Sequence, residues 1–324
     1  MLHLTEEQIR NLVGPDQALE AMLGAFAALA RGEVHQPFPI GLDLTDRRGE
    51  VHLKGAYVEG DPYFAFKVAT GFYDNPSKGL PTGSGLVLAF DAWTGLPAAL
   101  LQDNGYLTEL RTAGAGALSV DLLARRDAVS IGLVGAGVQA RFQLDAIARI
   151  RDLERVAVWS RSPQRVAGFI EEMRERVPAE YVIADTPDEA VAESDIAVTV
   201  TPSREPLVSA DALHPGLHLT CVGSDQPGKQ ELDVGVFRQV NRIFVDHLEQ
   251  CAAQGELQHA IARGVLSRDV VAATLGHVAA VLKPGRTSPE EITLCDLTGV
   301  GVQDAAIASL TVSRALETGT GRTL

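Results

Sequence analysis

Apolar and polar positions divide the chain into stretches of different period. Over QALEAMLGAFAALARG, ending at Gly32, Ala and Leu recur at helical spacing, with Pro15 and Asp16 at the start. A shorter helix over EEQIRNLV precedes it, with Thr5 as its cap. From about residue 37 to 101 the period becomes that of strands: IGLDL, EVHLKGAYV, YFAFKVATGFY and SGLVLAFD, divided by turns such as Asp-Arg-Arg-Gly and Asn-Pro. This predicts an antiparallel sheet, followed by an Ala-rich helix over 107–124.

At Ala128 the pattern changes again. Continuous apolar runs (AVSIGLVGAG, RVAVW, YVIA, DIAVTVTP, LHLTCVG, RIFVD, EITLCDLTG) alternate with helical stretches, the signature of a parallel sheet covered on both faces. The expectation is an α/β protein. A Rossmann-type doubly wound domain would span residues 125–301. An α+β domain would combine residues 1–124 with a C-terminal helical stretch, 302–324.

Composition narrows the classes. The chain has 324 residues, enough for two domains, and a formal net charge of -14 spread along its length, which argues against nucleic-acid binding. Cys221, Cys251 and Cys295 are far apart, odd in number and without CxxC spacing, so neither a disulfide framework nor a zinc knuckle is expected. The histidines show no metal spacing, and no metal is expected. The N-terminus does not read as a signal peptide and no apolar run is long enough for a bilayer, so the expected location is the cytoplasm, without membrane partners.

GAGVQA, 135–140, follows a strand-like run and opens a helix. In such a unit Gly135 permits the tight turn, Gly137 lets a pyrophosphate approach the backbone, and the helix N-terminus stabilises its charge. Alone the motif is weak, because tight strand–helix turns use glycine without a ligand. The βαβ rhythm beyond it strengthens it. At the end of the second strand, where an NAD site carries an acid, the sequence reads Ser160, Arg161, Ser162. An arginine can pair with a 2′-phosphate that an acid would repel, so NADP(H) is favoured over NAD(H). In the bland alternative Arg161 is a solvated loop residue.

Several segments together carry a resemblance: LTELRTAGAGALS, LVGAGVQA, VTVTPS, VGSDQPGKQELD, GELQHAI and DLTGVGVQD. The chain resembles the ornithine cyclodeaminase/mu-crystallin family. It looks closest to cyclodeaminase-like members linked to ectoine use and to ketimine and iminosuccinate reductases. The resemblance implies a homodimer in which the 1–124 domain dimerises and binds a small amino or imino acid. It implies that Asp225 is the catalytic acid, that Arg111 grips the substrate's α-carboxylate, and that Lys67 is a second carboxylate ligand or a partner for the imine. Thr112 would contact the cofactor phosphates, and Val138, Gln139, Thr201, Val222 and Val300 are further expected cofactor contacts. The sequence departs at His52, in GEVHLKG, where ornithine cyclodeaminase carries a glutamate for the side-chain amine. Strand alternation puts Glu50 on the same face as His52.

The reaction this implies is reduction of the imine of a small α-keto acid to the amino acid. The alternative is a redox-neutral cyclodeaminase that releases ammonia, and the second alternative a non-catalytic, crystallin-like binder of NADPH and a small carboxylate.

Overall fold

The computed structural model describes residues 1–324 as two compact units, one formed by Met1–Thr112 with Val300–Leu324, the other by Ala113–Gly299.

The first unit opens with strand β1 (Leu2–Thr5) and helices α1 (Glu6–Leu12) and α2 (Pro15–Arg31). Thr5 and Gln8 form a reciprocal capping box on α1, and Gly32 ends α2 at a left-handed φ of 78°. There follow β2 (Val34–His35), β3 (Ile40–Leu44), β4 (Gly49–Val58), β5 (Tyr63–Phe72), β6 (Gly83–Asp91), β7 (Pro97–Gln102) and α3 (Tyr106–Leu123), along which the chain leaves this unit. Antiparallel pairing joins β3 through β7, as the alternation predicts. The parallel pairing of β1 with β7 was not signalled by the pattern. The C-terminal helix, Gly301–Thr318, packs on α2, β4 and β5. It starts so close to the sheet that a Cβ on Gly301 would lie 2.2 Å from the Gly55 carbonyl oxygen, so only glycine fits.

Pairing register sorts the side chains of this sheet. Lys54 lies opposite Lys67, on the face that the C-terminal helix covers. Ile40, Leu42, Leu53 and Phe66 share the other face and are exposed.

The second unit is a parallel sheet built from β8 (Ser130–Val134), β9 (Arg155–Trp159), β10 (Glu180–Ile183), β11 (Ile196–Thr199), β12 (His218–Cys221), β13 (Arg242–Val245), β14 (Val271–Thr274) and β15 (Thr293–Asp296). Their order is β10-β9-β8-β11-β12-β15-β13-β14, and every pairing is parallel. Helices α4 (Val138–Ile147), α5 (Pro163–Met173), α6 (Pro187–Ala192), α7 (Leu248–Gln254), α8 (Leu257–Ala262) and α9 (Leu275–Ala279) connect them. Strand order reverses between β8 and β11, which in open α/β sheets is where a ligand crevice forms at the carboxyl ends. The sheet core is mainly apolar, with Ile131, Leu133, Val156, Val158, Val198 and Leu219 fully buried, and it also encloses His218, Thr220, Thr293 and Asp296. This is the Rossmann-type α/β architecture expected from the alternating runs. No helix of the chain is long and apolar enough to cross a membrane.

Candidate active site

At the switch point of the second unit, the β8–α4 turn lines a cleft of about 540 Å³ with Ser160, Arg161, Ser162, Arg165, Val200, Thr201, Pro202 and Ser203 among its other walls. Gly135 has φ 127°, and a Cβ there would press within 3.0 Å of Val200 Cγ2, so the turn requires glycine. Gly137 caps α4 with no side-chain hydrogen bond, and a Cβ added to it would meet only open space. The helix therefore opens with backbone N–H groups facing a bare cradle, which fits a pyrophosphate. The residues present thus fit a dinucleotide. Val138 and Gln139 form the first turn of α4 but are not cleft-lining, and the Gln139 side chain accepts from Gln143 at 2.9 Å. Ser162 also caps α5.

Asp225 and Val222 both follow β12, at the carboxyl edge. Val222 N–H continues the ladder to the Thr199 carbonyl, and Val222 is not cleft-lining. The Asp225 side chain is about one-third exposed, at 34 %, and its Oδ1 accepts from Lys229 Nζ at 2.8 Å. The same segment carries a buried carboxylate, Glu231. Its two oxygens accept from Thr201 N at 2.6 Å and from Gly223 N at 2.9 Å, tying together the chain ends beyond β11 and β12. Burial pushes Glu231 up to about 7, against hydrogen bonds from Thr199, Thr201 and Gly223.

In the first unit the structure brings Lys67 and Arg111 together on one acid, Asp304, of the C-terminal helix. Lys67 Nζ lies 3.1 Å and Arg111 Nε 3.0 Å from the same Oδ1, and all three side chains are buried. Arg111 also donates to Gln303 Oε1 at 3.4 Å. Asp304 Oδ2 has no hydrogen-bond partner. Burial, then Arg111, pull Lys67 down to about 7. Burial alone would raise Asp304, but Arg111 and Lys67 hold it below the ordinary carboxylate value. One carboxylate serves several cations, so the acid stays ionised and the lysine is the member that sheds charge.

His52 stands apart from that trio. Its Nε2 lies 3.6 Å from Glu50 Oε1, which also accepts from the Tyr73 hydroxyl at 2.9 Å. Thr112 lies within α3, and Val300, fully buried, is the N-cap of the C-terminal helix. Sequence reasoning quoted Asp304 only as the end of a motif and gave Glu231, Glu256 and Gln258 no role. No group of three or more His, Cys, Asp or Glu side chains is placed to hold a metal ion.

A profile of the ornithine cyclodeaminase/mu-crystallin family matches residues 1–319. The chain belongs to that family. A protein of Sinorhizobium fredii named as an uncharacterized cyclodeaminase is 41% identical over 320 residues, covering 98% of this chain and 97% of that one. Among solved structures, an archaeal alanine dehydrogenase dimer with bound NAD superposes with a TM-score of 0.93 at 35% identity, covering 100% of this chain and 98% of that one. The Δ1-pyrroline-2-carboxylate reductase of Thermococcus litoralis, in complex with NADH and L-proline, gives 0.95 at 31% identity and covers 100% of both chains.

Proposed function

We propose that this protein is a coenzyme-dependent reductase of carbon–nitrogen double bonds, converting the imine of a small α-keto acid to the amino acid. The observation that carries the reading is the buried convergence of Lys67 and Arg111 on a single oxygen of Asp304. A guanidinium and an ammonium fixed side by side suit a substrate α-carboxylate. One solved relative is named for alanine and the other holds L-proline, and each of these α-amino acids carries such a carboxylate.

A bound reduced nicotinamide would supply the hydride that turns C=N into CH–N. The chain supplies the rest. Arg111 and Lys67 orient the carboxylate, which fixes the adjacent imine carbon. Asp225 stabilises the iminium cation and manages the proton on nitrogen, with Lys229 holding its carboxylate in place. Lys67, with its acidity near 7, is a second group able to exchange a proton at neutral pH. Gly135, Gly137 and the start of α4 take the pyrophosphate. Thr201, in the cleft wall, and the backbone of Val138 and Gln139, in the first turn of α4, are further coenzyme contacts in this reading.

The relatives' structures hold NAD or NADH. For this chain we infer a preference for NADP(H). Arg161, Arg165, Ser160 and Ser162 line the cleft, which has no carboxylate in its walls. Arginine pairs with a 2′-phosphate, and an acid would repel it. We also infer a homodimer and a reducing, cytoplasmic setting, the latter because all three cysteines are free and buried thiols.

One observation favours a second reading. Glu50, half-buried beside His52, offers an acid on the sheet face that carries Lys67. A cyclodeaminase needs such a contact for a distal amine. NADPH absorbance followed with a panel of cyclic ketimines, and with keto acids plus ammonia, separates the two. Stoichiometric oxidation supports the reductase. Ammonia release from a diamino acid without net oxidation replaces it with the lyase.

A further inference from the structure

We propose that Gln258, in the GELQHAI segment, is a positioning residue for Asp225; the proposal rests on the imine-reductase reading above. The turn that carries Asp225 has little regular structure of its own, with Pro227 exposed and Gly228 at φ 81°. Gln258 holds it from α8. Its Oε1 accepts from Gly228 N at 2.8 Å, and its Nε2 donates to the carbonyls of Gln226 and Lys229 at 3.3 Å each and of Gly255 at 2.9 Å. Two more groups meet the same Lys229 carbonyl: Ser224 Oγ donates to it at 3.0 Å and His259 Nε2 lies 3.0 Å away. With its backbone fixed, Lys229 sends its ammonium to Asp225 at 2.8 Å.

The same helix start holds the far end of the segment. Glu256 accepts from Glu231 N at 2.8 Å and Leu232 N at 3.0 Å, and Glu231 in turn ties Thr201 and Gly223. GELQHAI therefore grips the acid-bearing turn at both ends. The grip matters because the backbone of this turn sets where the Asp225–Lys229 pair sits, and the Asp225 side chain is 34 % exposed. A displacement of about 1 Å at a reacting group costs on the order of a hundredfold in rate. Only a primary amide of this length both accepts from one N–H and donates to the facing carbonyls. Glutamate keeps the acceptor but sets a charge against three carbonyl oxygens, and leucine keeps the shape with neither function.

Gln258→Leu and Gln258→Glu test this in the full-length protein. Two measurements are made on each: hydrogen exchange over residues 226–230, and steady-state imine reduction. We expect exchange in that turn to accelerate at least tenfold while the β8–β12 strands stay protected. We expect kcat to fall at least tenfold with the KM for the coenzyme within twofold. In a folded variant, unchanged exchange or unchanged kcat overturns the proposal. If the natural protein reduces no imine while the variants still loosen the turn, the reductase reading fails and the clamp on Asp225 stands.

Discussion

Lys67 Nζ sits 3.1 Å from Asp304 Oδ1, with the two side chains only 3 % and 2 % exposed. The strand and the helix that carry them are more than 200 positions apart in the chain, yet the pair anchors the C-terminal helix to the sheet and builds the cation site from which the proposed substrate contact follows. A buried ion is costly unless paired, so each partner is strongly dependent on the other.

Removing the acid leaves Lys67 and Arg111 facing each other without their shared counter-ion. Asp304→Asn is expected to lower the stability of the first unit by about 3–5 kcal/mol, the usual cost of breaking a buried ion pair. Urea denaturation measures it, and a loss below about 1 kcal/mol would show that the pair is not buried as described.

Lys67 should also set a pH limit. If its ammonium grips the carboxylate, kcat/KM should decline above pH about 7 as the folded protein sheds that proton. Lys67→Arg, which stays charged, should abolish that alkaline decline even if it slows the reaction. The stability effect has the opposite sign. The unfolded lysine keeps its proton to about 10.5, so between pH 7 and 10.5 the unfolded state binds more protons and stability rises with pH, by up to roughly 5 kcal/mol. A flat kcat/KM profile to pH 9 would remove Lys67 from substrate binding.

Coenzyme choice should lie with Arg161. Arg161→Ala is expected to raise the KM for NADPH at least tenfold while shifting that for NADH less than twofold, because only the former carries the 2′-phosphate. Equal effects on both coenzymes would leave Arg161 a plain surface residue.

The exposed face of the first unit's sheet predicts self-association. Ile40, Leu42, Leu53 and Phe66 lie on one face of adjacent strands, and Ile40 is 60% and Phe66 40% exposed. An apolar patch of this kind is seldom left in water. Sedimentation should show a dimer at micromolar concentration, and Phe66→Glu should yield a folded monomer. A monomeric natural protein would contradict the homodimer.

Much of the second unit was legible because its code is local. Apolar runs bounded on both sides, glycine after the first strand and caps before the helices require only near neighbours, and they gave the Rossmann class and the GAGVQA turn. What local pattern could not say was that β15, last of the sheet's strands in the chain, inserts between β12 and β13. The antiparallel run from β3 to β7 was equally readable, because adjacent strands pair with adjacent strands. The parallel partner of β7 was not, since it lies at the opposite end of that segment.

The candidate chemistry divides in the same way. The sequence by itself determined the family, the dinucleotide turn and the residue types Lys67, Arg111 and Asp225, because each lies in a short motif whose backbone setting is local. Only the tertiary structure decided that Lys67 and Arg111 share one oxygen of Asp304, that Glu231 joins two strand ends, and that Gln258 holds the turn of Asp225. Those relationships link residues from 8 to more than 200 positions apart, and burial, not spacing, is what brings their charges and hydrogen-bonding groups within reach of one another.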